Sequence, residues 1–523
     1  MKKQTTLLIV LDGWGIADPK SKGNAITPKT APNYYNWLNN FPHTELEASG
    51  AAVGLFKGQE GNSEAGHLNI GAGRVVKQDA LYISDAINDG TFFKNNAFHE
   101  ALHHVRKYKT AVHVMGLLSN HNSAHSCPEH LYALLDLIHQ EGIKKVYLHL
   151  FTDGRDSGQH DALTHLKHLE KHLHGTERIA TMMGRLYAMD RNKNWHRTEK
   201  ACRAMVLGEG HRHVPSAEEA IAQAYNSGES DEFIAPSVVM DDGHPAATIK
   251  DNDAIFFFNL RSDRARQITK AFVQPDFEKV NPDSFTRKHF PKNIRFVALT
   301  DFGPDLPGIF TAYPSRDVAH SLVQTLCPRR QLYLAESEKF AHITYFLNGG
   351  YAQHFCDEQW VKIASNGVKD FEVDPKMKAE QVAKYAVNSL LHGDFEFIAI
   401  NFANADMIGH TGNMAAAKVA VTTLDKALGK VVEAVLKSGS QAIITADHGN
   451  VEEMINPKTG EVDSEHSVNP VPFFLIAPPE VYKKWGIAEK EVFRKGKLAD
   501  VAPTILKIMG VNKPKEMTGK ALF

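Results

Sequence analysis

The sequence predicts an α/β protein with mostly parallel sheets, divided into two domains or more. Short apolar runs without alternation mark strands buried on both faces. Amphipathic helical patterns lie between those runs, the order expected of a parallel α/β architecture. At 523 residues the chain also exceeds what one ordinary core holds.

The first strand is read at Leu7–Leu11. The opening MKKQTTLLIVLDGWG has the outline of a signal peptide, but its apolar run is too short and ends in Asp12, so a buried strand is the better reading. In PEHLYALLDLIHQEG, Leu131, Leu134, Leu135 and Ile138 form one helical face, with Pro128 at its start and Gly142 at its end. Further strands are expected at Val146–Phe151, Ala254–Leu260 and Phe296–Leu299. The loop FGPDLPG (302–308) is the clearest linker. Strands return at Phe397–Phe402 and Ala442–Thr445, separated by a long helix, Lys418–Leu436, that turns Val421, Leu424, Leu428 and Val432 inward. There is no internal repeat and no low-complexity tract.

Composition narrows the function. Hydrophobic residues make up 43% and charged residues 23%, as in an ordinary folded soluble protein. The net charge of −2 gives no basic excess for nucleic acid or a membrane surface, so any bound anion must be held by local arginines. No stretch reaches transmembrane length. The four cysteines, Cys127, Cys202, Cys327 and Cys356, form no CxxC pair, which predicts reduced thiols and a cytoplasmic location. Half of the 28 histidines fall between His99 and His174, so counting them does not find ligands. His165, His168 and His172 sit at helical spacing, and a solvated helix face is the expected reading.

Position relative to strands is more informative, because open α/β sheets bind ligands beyond the carboxyl ends of their strands. Asp12 follows LLIVL, Asp406 and His410 follow FIAINFA, and Asp447 and His448 follow AIIT. One such Asp is usually a cap or turn residue; three such sites point to metal. Carboxylate and imidazole without thiolate suit Mn²⁺ or Zn²⁺, and the ligands outnumber what one tetrahedral ion needs, as in two-metal phosphoryl-transfer sites. A second set is cationic: Arg155 and Asp156 in DGRD, Arg185 and Arg191 in MGRLYAMDR, and Arg261 and Arg264 in NLRSDRARQ. These residues either pair among themselves or clamp a small anion. Ser63, in EGNSEAGH, is either a turn residue or a nucleophile, and the loop alone leaves both open.

Together with AESEKFAHITYFLNGG, these motifs give the chain a resemblance over its whole length to the cofactor-independent phosphoglycerate mutases of the alkaline phosphatase superfamily. The resemblance implies a split phosphatase-like domain, 1–77 and 311–523, around an inserted phosphotransferase domain, 78–310. Ser63 then corresponds to the nucleophile that accepts the phosphoryl group. Asp12, Ser63, Asp447 and His448 would hold one Mn²⁺, and Asp406, His410 and His466 a second, although other divalent ions suit the same donors. His125, Arg155, Asp156, Arg185, Arg191, Arg261, Arg264 and Lys339 would contact substrate. The expected activity interconverts 3- and 2-phosphoglycerate through phosphoserine, without added 2,3-bisphosphoglycerate, in a cytoplasmic monomer. Because an exposed phosphoserine would hydrolyse, domain closure that excludes water is also expected.

The chain departs from the family's usual pattern at Ala65, at Ser262, in SGQH after Asp156 and in SNGVKDFEVDPKMKA. None of these removes a ligand or a charged contact. A phosphatase or phosphopentomutase of the same superfamily and a catalytically silent metal-binding protein are the competing readings. The long insert with its arginine pairs disfavours the first, and an intact Ser63 the second.

Overall fold

A computed structural model describes residues 4–367 and 370–523. The chain forms two compact units, Met1–Gln78 with Arg316–Phe523, and Asp79–Ser315. The second crossing lies a few residues beyond 310/311 because the strand Ile309–Tyr313 pairs with Arg295–Thr300 inside the inserted unit. FGPDLPG therefore joins two strands of one sheet and is not a linker between units.

In the discontinuous unit the strand order is Glu358–Ile363, Gln331–Glu336, Phe397–Phe402, Thr6–Leu11, Gln441–Thr445, Val471–Ile476, His43–Glu47, Gly496–Lys497. The first five run parallel, and Val471–Ile476 is antiparallel to its neighbours. Thr6–Leu11, fully buried, lies between Phe397–Phe402 and Gln441–Thr445. The chain segments carrying Asp12, Asp406 and Asp447 therefore leave one sheet edge side by side. The helix Met414–Ser438 covers the sheet with Val421, Leu424, Leu428 and Val432 buried, and Gly439 in the left-handed conformation ends it.

The inserted unit has the strand order Ile309–Tyr313, Arg295–Thr300, Ala254–Phe257, Val112–Leu118, Val146–Thr152, Glu177–Gly184, Ser237–Asp241, Arg212–Val214. Its pairings are parallel except between Glu177–Gly184 and Ser237–Asp241 and at the short His244–Pro245 strand. The run predicted as Ala254–Leu260 stops pairing at Phe257. Beyond it, Leu260 N donates to His125 O at 2.7 Å, which draws two loops of the candidate anion site together.

Two further expectations from the sequence also fail. Cys327 and Cys356 are disulfide-bonded, with Cα atoms 5.9 Å apart, and only Cys127 and Cys202 are free thiols. The 29-residue separation hid a pair that folding of the Gln331–Glu336 strand brings together. The helix bearing His165 and His168 ends at Glu170, before His172, which stacks on Tyr132 instead. In SNGVKDFEVDPKMKA, residues 368 and 369 lie outside the described residues; Lys376 O and Pro375 O accept from Asn404, two residues before Asp406. No helix among the described residues is long and apolar enough to cross a membrane.

Candidate active site

The local fold decides what Ser63 can do. It is the first residue of the helix Ser63–Ala72, and the cap is Asn62, whose Oδ1 accepts from Ala65 N at 2.8 Å. With the cap already supplied, the Ser63 hydroxyl is not needed for the turn. Oγ lies 3.0 Å from Asp12 Oδ1 and 2.9 Å from His448 Nε2, and it accepts from Lys339 Nζ at 2.8 Å. A helix N-terminus beside Oγ also favours negative charge there.

Close backbone approach assembles the rest. Gly13 has φ +75°, and a Cβ there would lie 2.7 Å from the Asp406 backbone; Asp406 N donates to Asp12 O at 3.0 Å. A side chain at Gly66 would likewise meet Asp447 O at 2.5 Å. Lys339 Nζ bridges Asp12 Oδ1 and Asp406 Oδ2 at 2.6 Å each. His410 and His466 converge on Asp406 Oδ1, at 3.3 and 3.1 Å, with their Nε2 atoms 3.1 Å apart. His466 is brought in by its neighbour Ser467, whose N donates to Gly449 O at 3.0 Å.

The carboxylates, the imidazoles and the Lys339 ammonium form one connected charge network. Burial alone would raise Asp12 and Asp406, but Lys339 and the surrounding imidazoles hold both well below the usual carboxylate range. Burial opposes charge on His448, yet Asp447, Asp12 and Asp406 outweigh it and push the imidazole up to about 10. Lys339 is raised in the same way by the three carboxylates despite its burial. Two further observations show that the residues fit metal ions. Asp447 Oδ2 is buried without a hydrogen bond; the nearby His67 Nδ1, at 3.1 Å, is turned towards Ser63 O at 2.9 Å. Two Nε2 atoms at 3.1 Å also require a proton or a cation between them. Asp406, His410 and His466 form one group with ligand atoms within 4.8 Å; Asp12 falls in two more, with Asp406 and His448 and with His67 and Asp447.

The inserted unit holds the other predicted residues. Arg185 is 3% exposed and pinned by Asp153 at 2.5 Å and Asp156 at 3.0 Å, so here the ion-pair reading applies. Ser123 Oγ also donates to Asp156, at 2.7 Å. Arg155 and Arg191 are each 50% exposed, on Glu232 and Asp263 respectively, and Arg261 lies 3.7 Å from Asp263. Arg264 is pulled down by burial and then by Arg185, Arg191 and Arg155, with Asp263 opposing, and its Nη1 donates to Met189 O at 3.5 Å. His125 is held neutral, down to about 4, by burial and by Arg185, and its Nδ1 is buried without a hydrogen bond.

Sequence reasoning missed four residues. Asn401 Nδ2 donates to Asp12 Oδ2 at 2.7 Å and lies 3.0 Å from His67 Nε2. Asp153 and Asp263 hold the arginines. His67 had a usable signal, its place one helical turn after Ser63; Asn401 lies inside an apolar strand and gave none.

Fold and site define a two-unit α/β protein with a buried hydroxyl, candidate cation ligands at a sheet's carboxyl edge, and several arginines in the inserted unit. The family model described as "BPG-independent PGAM N-terminus" matches residues 83–304. The chain is 43% identical to the 2,3-bisphosphoglycerate-independent phosphoglycerate mutase of Clostridium acetobutylicum, covering 100% of both. It is 44% identical to that of Moorella thermoacetica, covering 99% of this chain and 98% of the relative. A crystal structure of Leishmania mexicana phosphoglycerate mutase superposes with a TM-score of 0.77 at 29% identity, covering 100% of this chain and 98% of that one. The chain therefore belongs to the 2,3-bisphosphoglycerate-independent phosphoglycerate mutase family, and the enzyme is an isomerase of the intramolecular phosphotransferase kind.

Proposed function

We propose that this enzyme interconverts 3-phosphoglycerate and 2-phosphoglycerate, in glycolysis and gluconeogenesis, through a phosphoserine at Ser63. The observation carrying the reading is the Ser63 hydroxyl, released from capping by Asn62 and held among Asp12, His448 and Lys339. Asp12, Ser63, Asp447 and His448 would hold one Mn²⁺, and Asp406, His410 and His466 another. When bound, such ions supply Lewis-acid stabilisation of a serine alkoxide and of phosphoryl charge.

Asp12 and His448 orient the hydroxyl for loss of its proton. Oγ attacks phosphorus, the bond from phosphorus to the 3-oxygen of the substrate breaks, and that oxygen takes up a proton to give glycerate. Lys339 Nζ, 2.8 Å from Oγ, offsets charge on the transferring group. In the return step the 2-hydroxyl of glycerate attacks phosphoserine and loses a proton, while Ser63 regains one. The role assigned to His125, Arg155, Arg191, Arg261 and Arg264 is to hold the anionic glycerate between the two transfers, while Arg185, paired with Asp153 and Asp156, fixes the loop that carries Arg155.

We assign the enzyme to the cytoplasm as a monomer, on the family's chemistry alone, because the Cys327–Cys356 bond removes the thiol argument. The reading requires that 3-phosphoglycerate be converted with Mn²⁺ and without 2,3-bisphosphoglycerate, and that chelation abolish turnover. Full turnover by the chelated protein, or an absolute need for the bisphosphate, contradicts it.

A further inference from the structure

A second group of metal-ligating side chains lies in the inserted unit, apart from the constellation around Ser63. The strand Val112–Leu118 and the helix Pro128–Gln140 are joined by a loop that carries His121 near its start and Cys127 at its end. Glu129 is in the first turn of that helix. Glu129 Oε1 lies 3.2 Å from His121 Nε2. The Cys127 thiol donates to Glu129 Oε2 at 3.2 Å. One donor atom from each of the three lies within 4.8 Å of the other two. Cys127 is buried, whereas His121 and Glu129 are exposed, so the sulfur forms the floor of a group open to solvent.

We propose that His121, Cys127 and Glu129 form a binding site for Zn²⁺ or a similar borderline cation. Thiolate, imidazole and carboxylate together suit that class of ion, and three protein ligands leave a fourth position for water. On binding, a sulfur–metal bond replaces the S–H bond and the proton passes to solvent. The occupied site would tie together the two ends of the loop that carries Ser123, the partner of Asp156, and His125. The site does not depend on the proposed reaction.

Cobalt(II) separates this site from the constellation around Ser63, which contains no sulfur. Full-length protein titrated with Co²⁺ should develop a near-ultraviolet thiolate-to-cobalt charge-transfer band. The band should disappear in Cys127→Ser and persist in Cys202→Ser. His121→Ala changes an exposed side chain, so the protein should stay folded, and the midpoint for the band should weaken about tenfold or more. Zn²⁺ should displace the band in the wild type. Absence of the band from the wild type, its survival in Cys127→Ser, or an unchanged midpoint in His121→Ala overturns the assignment.

Discussion

Lys339 Nζ lies 2.6 Å from Asp12 Oδ1, both groups almost wholly buried, and the same ammonium reaches Asp406 Oδ2 and Ser63 Oγ. One cation thus ties the serine to two carboxylates on adjacent strands' loops. Removing it leaves two buried charges without their partner, which typically costs about 3–5 kcal/mol. Lys339→Met should therefore melt well below the wild type in chelator, and Mn²⁺ should recover more stability in the variant than in the wild type. Equal recovery in both would mean that the lysine and the metal do not share the same carboxylates.

The pH dependence of metal binding follows from His448. Its folded value, pushed up to about 10, lies above the ordinary value of 6.5. In the metal-free protein its stabilising contribution is therefore complete below 6.5 and lost as pH rises through 10. A metal ion must displace that proton, so affinity for Mn²⁺ should rise by up to roughly tenfold per pH unit across this window. Titration calorimetry in buffers of different ionisation enthalpy should also register proton release. A flat affinity between pH 6.5 and 9 would show that His448 is not a ligand.

Two arginines of the inserted unit should behave oppositely. Arg185 is buried on Asp153 and Asp156, so Arg185→Ala should lower the melting temperature whether or not substrate is present. Among the described residues, Arg264 has no ion pair as close as those of Arg185 and is disfavoured as a cation by burial and by the charges of Arg185, Arg191 and Arg155, so Arg264→Ala should leave folding intact and raise KM for phosphoglycerate about 10- to 100-fold, the scale of one lost charge-assisted contact. Thermal denaturation and steady-state kinetics on both variants check the contrast, which fails if Arg264→Ala is the less stable protein.

The disulfide encloses Lys339 within its 29-residue span. Constraining a loop of that length stabilises by about 2–4 kcal/mol. Cys356→Ser should lose stability of this order in non-reducing denaturant titrations, and reductant should bring the wild type to the same midpoint. A wild type indifferent to reductant would show that the pair contributes nothing.

Much of the site was legible because strands buried on both faces read as continuous apolar runs, and Asp12, Asp406 and Asp447 stand just beyond three of them. Helix faces such as Leu131 to Ile138 were equally plain, since burial follows the helical period. What escaped depends on contacts remote in sequence. His466 reaches Asp406 across 60 residues through the pairing of Ser467 with Gly449. Only the family resemblance pointed to it and to Lys339. Asn401 is polar within an apolar strand, and its role exists only once Asp12 lies beside it. The disulfide was missed because spacing carries no signal for a pair joined by strand packing. The arginine motifs were ambiguous for a physical reason, and the structure divides them: Arg185 is a buried ion pair, while Arg264 donates to a backbone carbonyl, Met189 O.

Passage of the phosphoryl group through Ser63 is open to direct test. The most direct measurement is mass spectrometry of enzyme quenched in acid during turnover of 3-phosphoglycerate with Mn²⁺, beside Ser63→Ala treated in the same way. One phosphoryl group should be found on the peptide containing GNSEAGH in the wild type and none in the variant, which should still fold but lose nearly all mutase activity. Wild-type turnover by Ser63→Ala, or a phosphoryl group trapped on another residue, would contradict passage through Ser63.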